Sequence, residues 1–169
     1  GRKLGHNRLL PAIGKQALKH TNSGQDANLL WDNASFVLGR GNRGKLKLER
    51  FIETMDHWFM GVDDEALGAV RTFLRSALAE PASVNSLLQA HGVADDFAAR
   101  DPVLVFRLSA DAVDFVHERP ALRYAYESRL LTSSAKLARG RCLVSGAEDV
   151  PLAANETVVK GVWNGQPSG

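Results

Sequence analysis

Apolar positions recur at helical spacing through the middle of the chain and give way to short strand-like runs on either side. Phe51, Ile52, Met55, Trp58 and Phe59 form the first helical stripe, and Gly61 supplies a stop, which predicts a helix over 48–60. Leu67, Val70, Phe73, Leu74, Ala77 and Leu78 mark one face of a second helix, ended by Pro81. Asp63 or Asp64 suits its N-cap, because a short carboxylate accepts from the free amides of a first turn and favours the positive end of the dipole. Val84, Leu87 and Leu88 predict a shorter helix capped by Ser83 and stopped by Gly92, with one further turn from Asp95 to Ala99. These elements make 48–100 the helical part.

The flanking segments read differently. Residues 1–28 lack a period and form a basic, irregular lead, while Leu29 to Leu38 is short and apolar, with Asp32-Asn33 as a tight turn between two strands. After Pro102, VLVFRL and AVDFVH are two strand-like runs separated by Ser109-Ala110-Asp111, the clearest hairpin pattern in the chain. Pro120 opens a helix at its first turn, with Leu122, Tyr126, Leu130 and Leu131 as its stripe. RCLVSG and TVVKGVW then read as terminal strands, so 101–169 holds hairpin, helix and strands. Strands and helices do not alternate as βαβ units would, so the expected class is α+β: short antiparallel strands and hairpins with about four helices. At 169 residues a single domain is expected. The start without Met and the ending GQPSG read as a piece of a longer protein.

Charge changes the picture more than composition does. The formal net charge is only +2, yet residues 1–50 carry ten basic and three acidic side chains, and residues 51–101 carry three and nine. A basic first third points to a polyanion; the acidic second third points to another partner. The cations concentrate behind the apolar run: Arg40, Arg43, Lys45, Lys47 and Arg50 fall within eleven residues, opposed only by Glu49. Gly39, Gly41 and Gly44 free the backbone between them for left-handed or tightly turned conformations, so residues 29–47 combine a strand hairpin with a basic, glycine-rich loop able to approach phosphate. Asn33 and Asn42 add donors and acceptors for base edges, and Lys15 and Lys19 form a second contact group. Trp31 either stacks on a base or anchors the strand.

Other chemistry is weaker. GRGNRG matches G-x-G-x-x-G, but a dinucleotide site needs a parallel strand after the helix, and VDDEALGAVRTFL reads as another helix. No kinase or P-loop partners follow the glycines. Five histidines are scattered without i, i+4 pairs, and Cys142 is alone, so neither a metal site nor a nucleophile is predicted, and no cofactor. Trp58, Phe59 and Phe73 are expected in the core. Without a secretory signal or a spanning run of roughly 20 apolar residues, a cytoplasmic location away from membranes is expected.

Four motifs in order carry a family resemblance. LLWDNASFVLG, preceded by LLPAIGKQALKHTNSGQDAN, resembles the large subunit of the subtype I-C CRISPR Cascade complex. The segments DPVLVFRLSADAVDFVHERPALRYAYE, RCLVSGAEDVPLA and VVKGVWNGQPSG are similar to later elements of that family, which runs several times longer. The chain departs from the family at Phe36, where Tyr is frequent, at Asn155, where His is common, and at Asn164 and Pro167 in the final loop.

The resemblance implies a non-catalytic subunit of an RNA-guided antiviral assembly. It would bind double-stranded target DNA, inspect the flanking motif and help recruit a helicase-nuclease, beside a guide-RNA-bearing complex and its backbone subunits. Lys15, Lys19, Asn33, Arg40, Asn42, Arg43, Lys45 and Lys47 are the residues expected on DNA. Trp31, Gln166 and Ser168 are candidates for nucleic acid or a neighbouring subunit. The alternative is a structural interaction domain that touches proteins and not DNA.

Overall fold

Apolar stripes on successive helices close over the segment that precedes them, and this places the basic loop at the edge of a well-filled core. The computed structural model describes residues 26–109, 115–134, 139–141 and 146–151. Its elements are β1 (Trp31–Asn33), α1 (Ala34–Val37), α2 (Gly44–Trp58), α3 (Glu65–Ala79), α4 (Pro81–Ala90), α5 (Ala94–Ala99), β2 (Val103–Val105), α6 (Pro120–Ser134), β3 (Arg139–Gly140) and β4 (Val150–Pro151). The α+β expectation holds. The chain divides into two compact units, Gly1–Glu127 and Ser128–Gly169.

In the first unit, Leu29, Leu30, Leu48, Phe51, Met55, Phe59, Leu67, Leu74 and Leu122 are fully buried. The Phe51 ring lies 6.1 Å from that of Phe106, centroid to centroid. Burial of so many large side chains from α2, α3 and the 27–38 segment is the main force holding these elements together.

The expected hairpin within 29–38 does not form. β1 instead pairs antiparallel with β2, with Trp31 opposite Val105, Asp32 opposite Leu104 and Asn33 opposite Val103. Residues 34–37 turn into α1, whose Ala34 N–H donates to the Pro102 carbonyl at 2.8 Å. The reason is burial: Ala34, Phe36, Val37 and Leu38 are all covered, and a two-stranded local hairpin would leave one of its faces wet. Asp32-Asn33 is therefore strand, not turn.

α2 starts at Gly44, four residues before the predicted Leu48, so Lys45, Lys47 and Arg50 lie on a helix. Its buried positions, Gly44, Leu48, Phe51 and Met55, extend the apolar stripe through residues whose neighbours are mostly charged. α3 is capped as expected, with Asp64 Oδ1 accepting from Leu67 N at 3.0 Å. Phe73, expected in the core, is 37% exposed, because it stands at the edge of the stripe that Val70, Leu74 and Ala77 bury. Trp58 is half-buried against the core and Phe59 fully buried.

Pro81 ends α3 and at once opens α4 as its first residue. Ser83, expected as the cap, sits inside that first turn and donates its hydroxyl to the Glu80 carbonyl at 2.7 Å. Of the predicted hairpin after Pro102, VLV forms β2, whereas residues 116–118 make a 3-10 turn joined to Phe106 by the Val116 amide. Residues 110–114 between them lie outside the described residues.

Two carboxylates bind the helices into place. Asp56 on α2 accepts from Arg71 Nε at 2.9 Å and from Arg75 Nη2 at 3.0 Å, both on α3. Asp64 both caps α3 and accepts from Arg119 Nε at 2.9 Å, with its side chain only 6% exposed. Asp64→Ala is therefore expected to cost about 2–4 kcal/mol by urea unfolding, since a cap and a partly buried ion pair vanish together. Asp64→Asn keeps a capping oxygen and should cost clearly less.

In the second unit β3 pairs antiparallel with β4, Arg139 opposite Pro151 and Gly140 opposite Val150. Arg139 donates to the Asp149 carboxylate at 2.8 Å and to its carbonyl. Of the expected strand RCLVSG, Arg141 lies just beyond β3 and residues 142–145 lie outside the described residues, as does all of TVVKGVW.

Candidate nucleic-acid interface

The glycines of GRGNRG serve a tight turn into α2. Gly39 and Gly41 have φ of 65° and 73°, and Arg43, the N-cap of α2, is itself left-handed at 55°. For the first two the missing Cβ removes the steric penalty; for Arg43 the conformation is strained. Gly44 is required for a different reason, because a Cβ there would stand 2.1 Å from the Gly39 carbonyl oxygen. The turn is closed by Gly44 N–H donating to the Gly41 carbonyl at 3.1 Å.

This turn presents part of the predicted cation cluster. Asn42 and Arg43 are exposed, and Lys45 is 79% exposed with Glu49 4.0 Å away. Arg40 is half-buried, and its Nη1 is buried without a hydrogen-bond partner. Arg50 is turned along α2 to Glu53, at 2.8 Å. α2 has no acidic residue in its first turn and no side-chain cap, so its positive end lies beside Arg43 and Lys45, with Glu49 one turn further on as the nearest carboxylate of the helix.

Two predicted DNA contacts face inward instead. Lys47 Nζ donates to Ser35 Oγ at 3.1 Å and lies 5.4 Å from the centre of the Phe36 ring. Asn33 Nδ2 donates to Asp101 Oδ2 at 3.3 Å. Asp101 also accepts from Ser35 N at 2.7 Å and from Ser35 Oγ at 2.8 Å. Partial burial alone would raise the Asp101 pKa, but the bonds from Ser35 and Asn33 and the nearby Lys47 charge outweigh it and hold the carboxyl below its ordinary value.

Behind this cluster, Asp32 is buried with its two oxygens accepting from Asn28 N at 2.8 Å and Asn33 N at 2.7 Å. Burial pushes its pKa up, against the pull of those two amides, and the neighbouring Asp101 charge adds to the rise. Nothing in the local pattern flags Ser35 or Asp101, whose partners lie far along the chain. Trp31 is half-buried in β1, the position of a strand anchor. Lys15, Lys19, Gln166 and Ser168 lie outside the described residues.

Among the described residues no group of three His, Cys, Asp or Glu side chains is placed to hold a metal ion. No described helix is long and apolar enough to cross a membrane. The exposed chemistry is that of a basic turn, suited to an anion with several oxygens.

No curated protein matches the chain. One family model does, that described as CRISPR-associated protein (Cas_Csd1), and it aligns with residues 1–169. The chain with this basic turn is thus a member of the Cas_Csd1 family of CRISPR-associated proteins.

Proposed function

We propose that the protein is the non-catalytic large subunit of a subtype I-C Cascade complex, working in the cytoplasm. In this role it binds double-stranded target DNA, inspects the flanking motif and helps recruit the helicase-nuclease, beside the guide-RNA-bearing backbone subunits. Guide pairing reads the remaining sequence, so the protein needs phosphate contacts and only a few groove contacts.

One observation carries the DNA contact: Arg40, Arg43 and Lys45 gather around the already positive start of α2, whose first turn holds no acidic residue. Cations at that end of a helix repel its dipole, and a local rule broken in this way is typical of a site completed by an anion. Asn42, exposed between the two arginines, is placed for a base edge or a phosphate.

The test is binding of a labelled target duplex by the assembled complex over a range of salt. Replacing Arg40, Arg43 and Lys45 together by Ala should weaken binding and flatten the dependence of log affinity on log salt by roughly 2–3, about one for each phosphate no longer neutralised. An unchanged slope would remove the turn from the DNA interface.

A further inference from the structure

We infer that Asp101, although negatively charged, is a positioning residue for the basic turn: through Ser35 it holds both segments between which residues 38–43 are strung. The inference rests on the reading of that turn as a DNA contact. On the near side, Asp101 accepts from the amide and hydroxyl of Ser35 in α1, and from Asn33 at the end of β1. On the far side, Ser35 Oγ is also the acceptor for Lys47 Nζ, which belongs to the first turns of α2. Ser35 Oγ thus donates to Asp101 and accepts from Lys47. The turn leaves α1 and enters α2 within this one network.

The need for such a clamp follows from the turn itself. Gly39, Gly41 and Arg43 are all left-handed, and α2 begins without a side-chain cap of its own. Glycine-rich backbone has many alternatives, so the aim of Arg40, Arg43 and Lys45 depends on how firmly the ends are held. Asp101 comes from the stretch between α5 and β2, adjacent to the ladder that pairs β2 with β1. The sheet therefore serves as the fixed reference from which the turn is aimed.

The sign of the effect separates positioning from charge. Removing a carboxylate near a phosphate-binding surface strengthens DNA binding if charge alone matters. If Asp101 positions the turn, its removal weakens binding. The experiment compares Asp101→Ala, Asp101→Asn and Ser35→Ala with the Arg40/Arg43/Lys45 triple alanine variant, in the assembled complex with a fluorescein-labelled target duplex. Asp101→Ala should bind about tenfold more weakly, with a salt slope reduced by about one. Asp101→Asn, which loses the same charge but keeps an oxygen for the Ser35 amide, should recover part of that loss.

Amide hydrogen exchange of the DNA-free protein gives a second readout. Ser35→Ala should speed exchange at 44–47 while leaving α3 unchanged, and it decides the matter should Asp101→Ala fail to fold. Equal or tighter binding by Asp101→Ala, or exchange at 44–47 unaltered in Ser35→Ala, would overturn the inference. If the triple variant nonetheless loses binding, the DNA reading stands without it. A triple variant that binds like the parent would overturn the DNA reading, and the positioning role in DNA binding with it.

Discussion

Asp32→Ala is expected to destabilise the protein by about 2–4 kcal/mol in urea unfolding at neutral pH, because two buried amides lose their acceptor at once. Asn28 N and Asn33 N donate to opposite oxygens of this carboxylate, and the residue is only 3% exposed. Each unsatisfied donor costs about 1–3 kcal/mol, and the released burden of burying a charge offsets part of the sum. The bonds also shape the approach to β1, where buried Leu30 takes a left-handed φ of 61°. Without Asp32 that strained backbone loses one of its restraints.

The loss should grow as the solution is acidified. The Asp32 pKa is raised above its ordinary 3.8, so the native state holds this proton more tightly than the unfolded chain. The linked stability is full below 3.8 and lost as pH rises through the raised native value. Asp101 runs the other way: its pKa is lowered, so its linked stability is present above 3.8 and lost as pH falls through the native value. The charged groups acting on Asp32 are Asp101 and Lys47, and the one acting on Asp101 is Lys47. Unfolding curves for Asp32→Ala should therefore fall further behind the parent on the acid side, and a pH-independent difference would refute this assignment.

Gly44→Ala should have an effect at least as large, about 3 kcal/mol, and should also impair DNA binding. The added carbon would lie 2.1 Å from the Gly39 oxygen and 2.4 Å from its carbonyl carbon. Both are backbone atoms, so no rotamer change can relieve the overlap, and the turn must open. Gly41→Ala is the informative control: nothing lies within 4 Å of its Cβ, but its φ of 73° is left-handed. It should cost only about 1–2 kcal/mol. A Gly44→Ala loss no larger than that of Gly41→Ala would show that the close approach to Gly39 is relieved at little cost and does not govern the turn. Thermal unfolding read beside DNA titration separates the stability effect from the binding effect.

The helices are legible because their signals are local. The Leu67, Val70, Leu74 and Ala77 stripe, the Asp64 cap and the Pro81 break each depend on a few consecutive residues, and the structure keeps all three. The start of α2 is hidden because Lys45 and Lys47 look like a basic loop; Gly44 is buried against Gly39, a contact that composition does not signal. β1 reads as half of a local hairpin because its true partner, β2, lies beyond all the helices of the middle third. Within the candidate site, Asn33 and Lys47 cannot be told from Asn42 and Lys45 by type or spacing. One pair is held by Asp101 and Ser35, and the other faces solvent.

The amino-acid sequence by itself determined the helical stripes, the left-handed glycines and the concentration of cations between Arg40 and Arg50, since period, torsion and charge belong to residues and their neighbours. Only the tertiary structure decided which polar groups turn inward. A buried carboxylate such as Asp32 must find donors wherever the chain brings them, and the more exposed Asp101 meets Ser35 only because folding brings the two together. These two take Asn28, Asn33 and Ser35, and Ser35 takes Lys47, while Asn42, Arg43 and Lys45 stay exposed, Lys45 within 4.0 Å of Glu49.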